Sequence, residues 1–386
     1  MFSGHFLKSA TLLEIYGGRR KSMQRIGHCL QCVNTVPRRN ISHHNYLRFS
    51  SQTNYEQHAK PLDPHQFIKN ELQNVNNDII KELNTSLQPL KTITHYYFDS
   101  KGKMFRPAVI LLMATVCNKH LYENPESLPS NSQKTIARVA EMIHTASLVH
   151  DDIIDLAESR RGKPSTHNIW GEKEAVLAGN YIMSRATIAL AKLGNTEVIK
   201  LLSKVLDDLV RGEFMQMGSR EDPNERFTHY LDKTFKKTAS LLAYTCKSVA
   251  LLANGSKEVQ DLAFEYGRNL GMTFQLVDDV LDFNSTQEIL GKPAAADLRL
   301  GLATGPVLFA SEEFPEITAF IMRRFKGEHD VEETYELVRQ STGIERTMCL
   351  ARQHSREAIR TLTKLRQTPE RDALVELTEN LLKRTH

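Results

Sequence analysis

The chain has 386 residues, 40% of them hydrophobic and 25% charged, with one Trp and 13 Pro. This composition can bury a large core and excludes a fibrous or disordered protein. The formal charge of +4 hides an asymmetry, because residues 1–50 hold eight Lys or Arg against the single acid Glu14, leaving 42 basic and 45 acidic side chains from Ser51 onward. A body so close to neutral has no global basic surface for nucleic acid, so any phosphate site must be built locally.

The amino-terminal segment carries Lys8, Arg19, Arg20, Lys21, Arg25, Arg38, Arg39 and Arg48 without a long apolar stretch. An Arg-rich, acid-poor, Ser-containing leader of this kind reads as a mitochondrial transit peptide, with a basic disordered tail as the alternative. Arg48-Phe49-Ser50-Ser51 suits a processing site, so residues 1–55 are set apart and 56–386 are taken as one domain. Cys29 and Cys32 fall in the leader, while Cys117, Cys246 and Cys349 sit in apolar helical patterns where a reduced core thiol is expected. The longest apolar run, Pro107 to Cys117, is too short to span a bilayer. The body is therefore expected to be soluble, with peripheral membrane contact at most.

From about Gln66 the dominant pattern is apolar spacing of three and four, as in Ile136, Val139, Ala140 and Ile143, or Leu201, Val205 and Leu209. Pro107 and Pro369 suit first helical turns, Thr368 suits an N-cap, and Asn254-Gly255 suits a turn between helices. Ten or so helices or more are expected, with neither a repeat nor a flexible linker between them. The fold class is all-α.

Chemistry is carried by His150-Asp151-Asp152-Ile153-Ile154-Asp155. At 100° per residue the three aspartates span an arc of about 100° on one helix face, so their mutual repulsion calls for a cation. The pattern returns 127 positions later in Asp278, Asp279 and Asp282, again on an apolar background. Magnesium prefers oxygen ligands and is usually held by a few carboxylates together with substrate phosphates, so paired triads suit a clamp on a diphosphate. Two other readings of the motif are a solvated acidic face, for either copy alone, and a metal phosphohydrolase suggested by the His150-Asp151 doublet. The second lacks a patterned set of further His ligands.

The paired motifs resemble those of the trans-polyprenyl diphosphate synthases, in particular mitochondrial members of the decaprenyl type. The likeness covers about residues 66–386 and extends to Gly102-Lys103-Met104-Phe105-Arg106-Pro107, His144 to Val149, Arg160-Arg161-Gly162-Lys163, Gly212-Glu213-Phe214-Met215-Gln216, Lys237-Thr238 and Gly291-Lys292-Pro293. It implies the isoprenoid synthase fold, a large helical bundle around a central substrate cavity. It implies that Asp151, Asp152, Asp155, Asp278, Asp279 and Asp282 hold several Mg2+ ions on an allylic diphosphate, farnesyl or geranylgeranyl, with Arg160, Lys237 and Lys292 assisting. Lys103, Arg106, His144 and Arg161 match the ligands of isopentenyl diphosphate, and Lys237, Thr238 and Gln275 match the groups that stabilise the allylic cation and orient pyrophosphate. The product implied is a decaprenyl or nonaprenyl diphosphate for the ubiquinone side chain, made by a homodimer or a heteromer with a related subunit in the mitochondrial matrix or at its inner membrane.

Product length has its own signal. Ala146 and Ser147 lie about one turn before Asp151, where short-chain members of the family carry aromatic blocks; two small residues favour a long product, or simply permit close helix packing. Two positions depart from the family pattern. Leu302 stands where many members have a diphosphate-binding lysine, and Asn180 where Asp is usual. A weakly catalytic structural subunit and a short-chain geranylgeranyl-type synthase are the competing functional readings.

Overall fold

A computed structural model describes residues 64, 66–98, 104–122, 127–160, 162–216, 223–284 and 295–384, and these fall in the unit Lys60–His386. The expected leader, Cys29, Cys32 and the candidates Lys103, Arg161 and Lys292 lie outside the described residues.

A 3-10 turn (Gln66–Ile68) leads into α1 (Lys69–Glu82), followed by α2 (Gln88–Tyr96), α3 (Phe105–Tyr122) and α4 (Asn131–Ile154). Apolar residues occur all round α3, and Pro107 to Asn118 are buried without a break. The longest apolar run is thus a helix enclosed on every side. Among the described residues no helix is long and apolar enough to cross a membrane. A capping box starts α4: the Ser130 hydroxyl accepts from the Gln133 N–H at 3.2 Å, and Gln133 Oε1 accepts from the Ser130 N–H at 2.8 Å. The Gln133 amide also exchanges hydrogen bonds with Asn118 of α3 and donates to the Val249 carbonyl. One polar side chain thereby fixes the entry of α4 against two neighbours.

Beyond α4 a hairpin of β1 (Ser159–Arg160) and β2 (Lys163–Pro164) pairs Ser159 with Pro164 and Arg160 with Lys163. It is the only strand pairing among the described residues. Next come α5 (Thr166–Trp170), α6 (Glu172–Ala191), α7 (Thr196–Gln216) and α8 (Pro223–Thr234). A π-helical turn, Phe235–Ala239, joins α8 to α9 (Ser240–Leu252). The long α10 (Lys257–Asn284) is followed by α11 (Ala296–Arg299), α12 (Gly305–Ala310), α13 (Ile317–Met322), α14 (Asp330–Gln340), α15 (Gly343–Leu362) and α16 (Pro369–Leu382). The Thr368 side chain accepts from the Arg371 N–H with Pro369 in the first turn of α16, and Asn254, at φ +59°, makes the turn between α9 and α10. Both boundaries agree with the residue chemistry that marks them.

Two apolar clusters form the interior. The larger draws on α3, α4, α7, α9, the first part of α10 and the end of α15, including Ile110, Met142, Leu202, Leu242 and Leu270. The second gathers the end of α10 with α12 to α15, including Leu276, Val307, Ile317, Val338 and Leu350. Cys117 and Cys246 lie in the larger cluster, and burial pushes both thiols up. Cys349 corrects the expectation of a core thiol, because it is exposed on α15. It neighbours buried Leu350, and apolar helical spacing cannot place a residue at the edge of a stripe more finely than one position.

Close contact of α9 with α10 rests on Gly267, where a Cβ would lie 2.4 Å from the Leu242 carbonyl oxygen. Backbone cannot rotate away as a side chain can. Gly267→Ala is therefore expected to lower the chemical denaturation midpoint, by about 1–3 kcal/mol of stability, at an unchanged denaturant slope.

Candidate active site

Both aspartate triads fall at the C-terminal end of an amphipathic helix, the first closing α4 and the second closing α10. The helix dipole there is negative, which adds to the repulsion among the carboxylates. Asp152 is fully buried and accepts from the Tyr97 hydroxyl at 2.8 Å on one oxygen and from Arg160 Nε on the other. Asp279 is likewise buried; it accepts from the Tyr230 hydroxyl and, at 2.8 Å, from the Gln275 amide. Burial, with the adjacent carboxylate, pushes Tyr97 up to about 12 and Tyr230 well above its ordinary range, so both hydroxyls remain donors.

The three aspartates of each motif share a helix arc, and the middle one of each is locked by a tyrosine hydroxyl. Among the described residues no group of three acidic, His or Cys side chains is drawn together closely enough to hold an ion by itself.

The outer aspartates differ. Asp151 is half-buried; burial, with Glu213 and Asp155 nearby, pushes it up to about 7 against the pull of Lys237 and Arg160. Asp278 is pushed up to about 6 by burial and by Asp279, against Arg384 and Arg106. Arg384 Nη1 reaches Asp278 at 2.7 Å, and its guanidinium lies 4.9 Å from the Phe274 ring centroid, with that of Arg106 at 5.9 Å. Arg106 is thus brought to the second triad. Asp282 accepts from the backbone N–H groups of Ala296 and Asp297 at 3.1 and 3.2 Å. This draws Asp297 into the cluster, where burial, then Asp282 and Asp279, push it up to about 8.

Lys237 stands on the π-helical turn. Its ammonium contacts Glu213 at 2.7 Å and Gln216 at 3.0 Å, both from the last turn of α7. The approach is close because of Gly212, where a Cβ would lie 2.9 Å from the Lys237 backbone nitrogen. Burial works against the charge, but Asp151, Glu213 and Asp155 hold Lys237 above the ordinary lysine range. Its charge also reaches Asp297, so Lys237 lies within electrostatic reach of both acidic clusters. Thr238 donates to Gln275 Oε1 at 2.8 Å, continuing the chain of hydrogen bonds to Asp279 and Tyr230.

His144 and Ser147 are half-buried on α4, the Ser147 hydroxyl donating to the His144 carbonyl at 2.9 Å. Ala146 lies wholly inside the larger apolar cluster, and Asn180 is exposed on α6. The sequence singled out neither the tyrosines of the two locks nor Lys233, Asp297 and Arg384. Glu213 and Gln216 belonged to a noted stretch, and their spacing of three on a helix was the signal that they share a face.

The geometry is that of a helical bundle with two carboxylate clusters and a lysine whose charge is felt by both. A family model described as polyprenyl synthetase matches residues 87–338, and the chain belongs to this family of enzymes. Among its relatives, the human all trans-polyprenyl-diphosphate synthase PDSS1 is 55% identical over 325 residues, covering 84% of this chain and 78% of that one. A mitochondrial solanesyl-diphosphate synthase 1 from Oryza sativa is 41% identical over 339 residues, with 84% and 79% covered. The solved structure of a polyprenyl synthase from Caulobacter crescentus, complexed with calcium and isoprenyl diphosphate, superposes with a TM-score of 0.75 at 28% identity, covering 84% of this chain and 98% of that one. The all-helical bundle is the fold of this family.

Without metal, Asp151, Asp278 and Asp297 bind protons more tightly folded than unfolded, since each is raised above 3.8. Their contribution is most favourable below pH 4 and is lost as pH rises through about 6 to 8. In chelator the melting temperature is expected to fall between pH 6 and pH 8. Asp151→Asn should recover on the order of 2 kcal/mol at pH 8, seen as a smaller fall in Tm.

Proposed function

We propose that this chain is a long-chain trans-polyprenyl diphosphate synthase that condenses isopentenyl diphosphate repeatedly with an allylic diphosphate, farnesyl or geranylgeranyl, to give a decaprenyl or nonaprenyl product for the ubiquinone side chain. The observation that carries the reading is Lys237 set within reach of two carboxylate clusters that each end an apolar helix. The enzyme is mitochondrial, as the rice relative is.

The residues fit magnesium. Carboxylate oxygens are its preferred donors, and Asp151 and Asp278 are raised by burial, so a cation relieves a standing electrostatic cost. Asp151 and Asp155 on one side, with Asp278, Asp282 and Asp297 on the other, would hold the ions, while Asp152 and Asp279 act through their locks. Too few carboxylates converge to complete a shell alone, which suits an ion shared with substrate phosphate. Bound there, magnesium would neutralise negative charge that develops on the departing diphosphate.

The chain's own groups then divide the work. Lys237 donates to the leaving diphosphate as the carbon–oxygen bond breaks and its electron pair passes to oxygen. Thr238 and Gln275, fixed by their mutual hydrogen bond, present dipoles to the allylic cation. Arg106 and His144, with Lys103 and Arg161, orient isopentenyl diphosphate, whose double bond attacks the cation; the proton lost as the alkene re-forms passes to pyrophosphate. Lys292 and Arg160 add charge at the allylic end. The assembly is a homodimer or a heteromer with a related subunit, and an apolar product favours contact with the membrane surface.

Purified protein, assayed with and without a related subunit, is expected to elongate farnesyl or geranylgeranyl diphosphate only when Mg2+ is present. Asp151→Ala and Asp155→Ala should each lower kcat by about 100-fold or more. Turnover unaffected by both would instead mark a structural subunit.

Product length rests on Ser147 more than on Ala146, since the latter is enclosed by core. Ser147→Tyr is expected to shorten the product, read by chromatography of the dephosphorylated chains. An unchanged distribution would remove this position from the length determinant.

A further inference from the structure

Leu302 is one wall of a small cleft open to solvent, whose other walls include Gln216, Arg226, Tyr230, Lys233 and Arg324. Leu302 gives this cleft an isobutyl group that can neither donate a hydrogen bond nor carry charge. Another cation faces the same space. Lys233 lies in the last turn of α8, four residues before Lys237, which stands on the π-helical turn that follows. Gln216 connects the two, lining the cleft while holding the Lys237 ammonium at 3.0 Å.

The lysines of this turn are not equivalent. Lys236 is paired with Asp232, and Lys237 with Glu213. Among the described residues Lys233 forms no ion pair. Its Nζ rests 5.6 Å from the centroid of the Tyr230 ring, the ring whose hydroxyl holds Asp279. Asp279 and Asp297 attract the ammonium from the second acidic cluster, while burial and Lys237 work against its charge. Arg226 is 6% exposed and turns one guanidinium nitrogen to the Met322 sulfur at 3.5 Å, so it serves the wall more than the space. Lys233 is therefore a cation without a dedicated counterion, placed between the second triad and the cleft.

We propose that Lys233 is a second cation for the departing diphosphate, supplying from α8 the charge that Leu302 does not supply from the loop before α12. The inference rests on the prenyl-transfer reading. As the carbon–oxygen bond breaks and its electrons pass to the diphosphate oxygen, the Lys233 ammonium donates a hydrogen bond to that anion and keeps its proton. A neutral residue at 302 is then compatible with full activity in this chain.

The test uses the full chain in its active assembly and compares Lys233→Met with the double variant Lys233→Met/Leu302→Lys. Lys233→Met is expected to lower kcat by about 10–100-fold and to weaken inhibition by inorganic pyrophosphate with Mg2+ about tenfold, while KM for isopentenyl diphosphate stays within about twofold. The double variant should regain about tenfold in kcat and in pyrophosphate inhibition. Unchanged pyrophosphate inhibition in Lys233→Met overturns the proposal whatever happens to kcat, because a merely structural lysine would not govern that affinity. Should Met unsettle α8 in a melting curve, Lys233→Gln repeats the test with a polar chain of similar reach. Should the wild-type assembly turn over nothing, the prenyl-transfer reading falls. Pyrophosphate affinity by calorimetry, wild type against Lys233→Met, then still decides on Lys233.

Discussion

Two trios of aspartate placed at the negative ends of two helices repel one another, and the surroundings of both sites answer that repulsion. An isolated buried carboxylate costs several kcal/mol unless it is hydrogen-bonded and paired. Asp152 meets this requirement with Tyr97 and Arg160, and Asp279 with Tyr230 and Gln275. Tyr97 just past α2, Arg160 of the β-hairpin and Tyr230 of α8 come from distant parts of the chain, while Gln275 lies one turn before Asp279 on α10. The locks therefore fix the helix ends as well as the charge. The outer aspartates are left nearer the surface of the cluster, where Asp151 and Asp278 still carry the cost of burial as raised carboxyl groups.

The same economy governs the cations. Lys237 is held by Glu213 and Gln216 of α7, and Gly212 makes that approach sterically possible. The π-helical turn changes the phase of the helix at this point, so the residues before and after it need not repeat the same face. Lys236 is spent on Asp232 and Lys237 is partly neutralised by Glu213. A leaving group with several negative charges gains most from a cation whose charge is not already compensated, and in this turn that is Lys233.

Much of this was legible in residue spacing. The paired aspartate motifs, the helical periodicity and the cap at Thr368 each follow from local chemistry that a helix obeys wherever it packs. Side-chain direction was less accessible: spacing set Asp151, Asp152 and Asp155 on one arc, but Tyr97 lies 55 positions before Asp152, and nothing local announces the bond. Lys233 was unreadable for a related reason, because its meaning depends on its forming no ion pair among the described residues and on sharing a cleft with Leu302. Cys349 shows the resolution limit of apolar spacing itself. A surface position and a core position can be neighbours in the same stripe.

Why the polar residues gather where they do follows from the two apolar clusters. α10 belongs to the larger cluster through Leu270 and to the smaller through Leu276. The helix running through the π turn also crosses between them, with Tyr230 in the smaller cluster and Leu241 in the larger. Both helices cross the seam at the same level, and there they bond to each other through Thr238, Gln275 and Asp279. A polar network inside either cluster would have displaced apolar packing and left donors without partners. At the seam it interrupts neither core: Thr238 and Tyr230 reach across to Gln275 and Asp279, which also bond to each other one turn apart on α10. The position that can tolerate hydrogen-bonded carboxylates, amides and ammonium groups is thus the one where two cores meet, and the chemistry is built on that boundary.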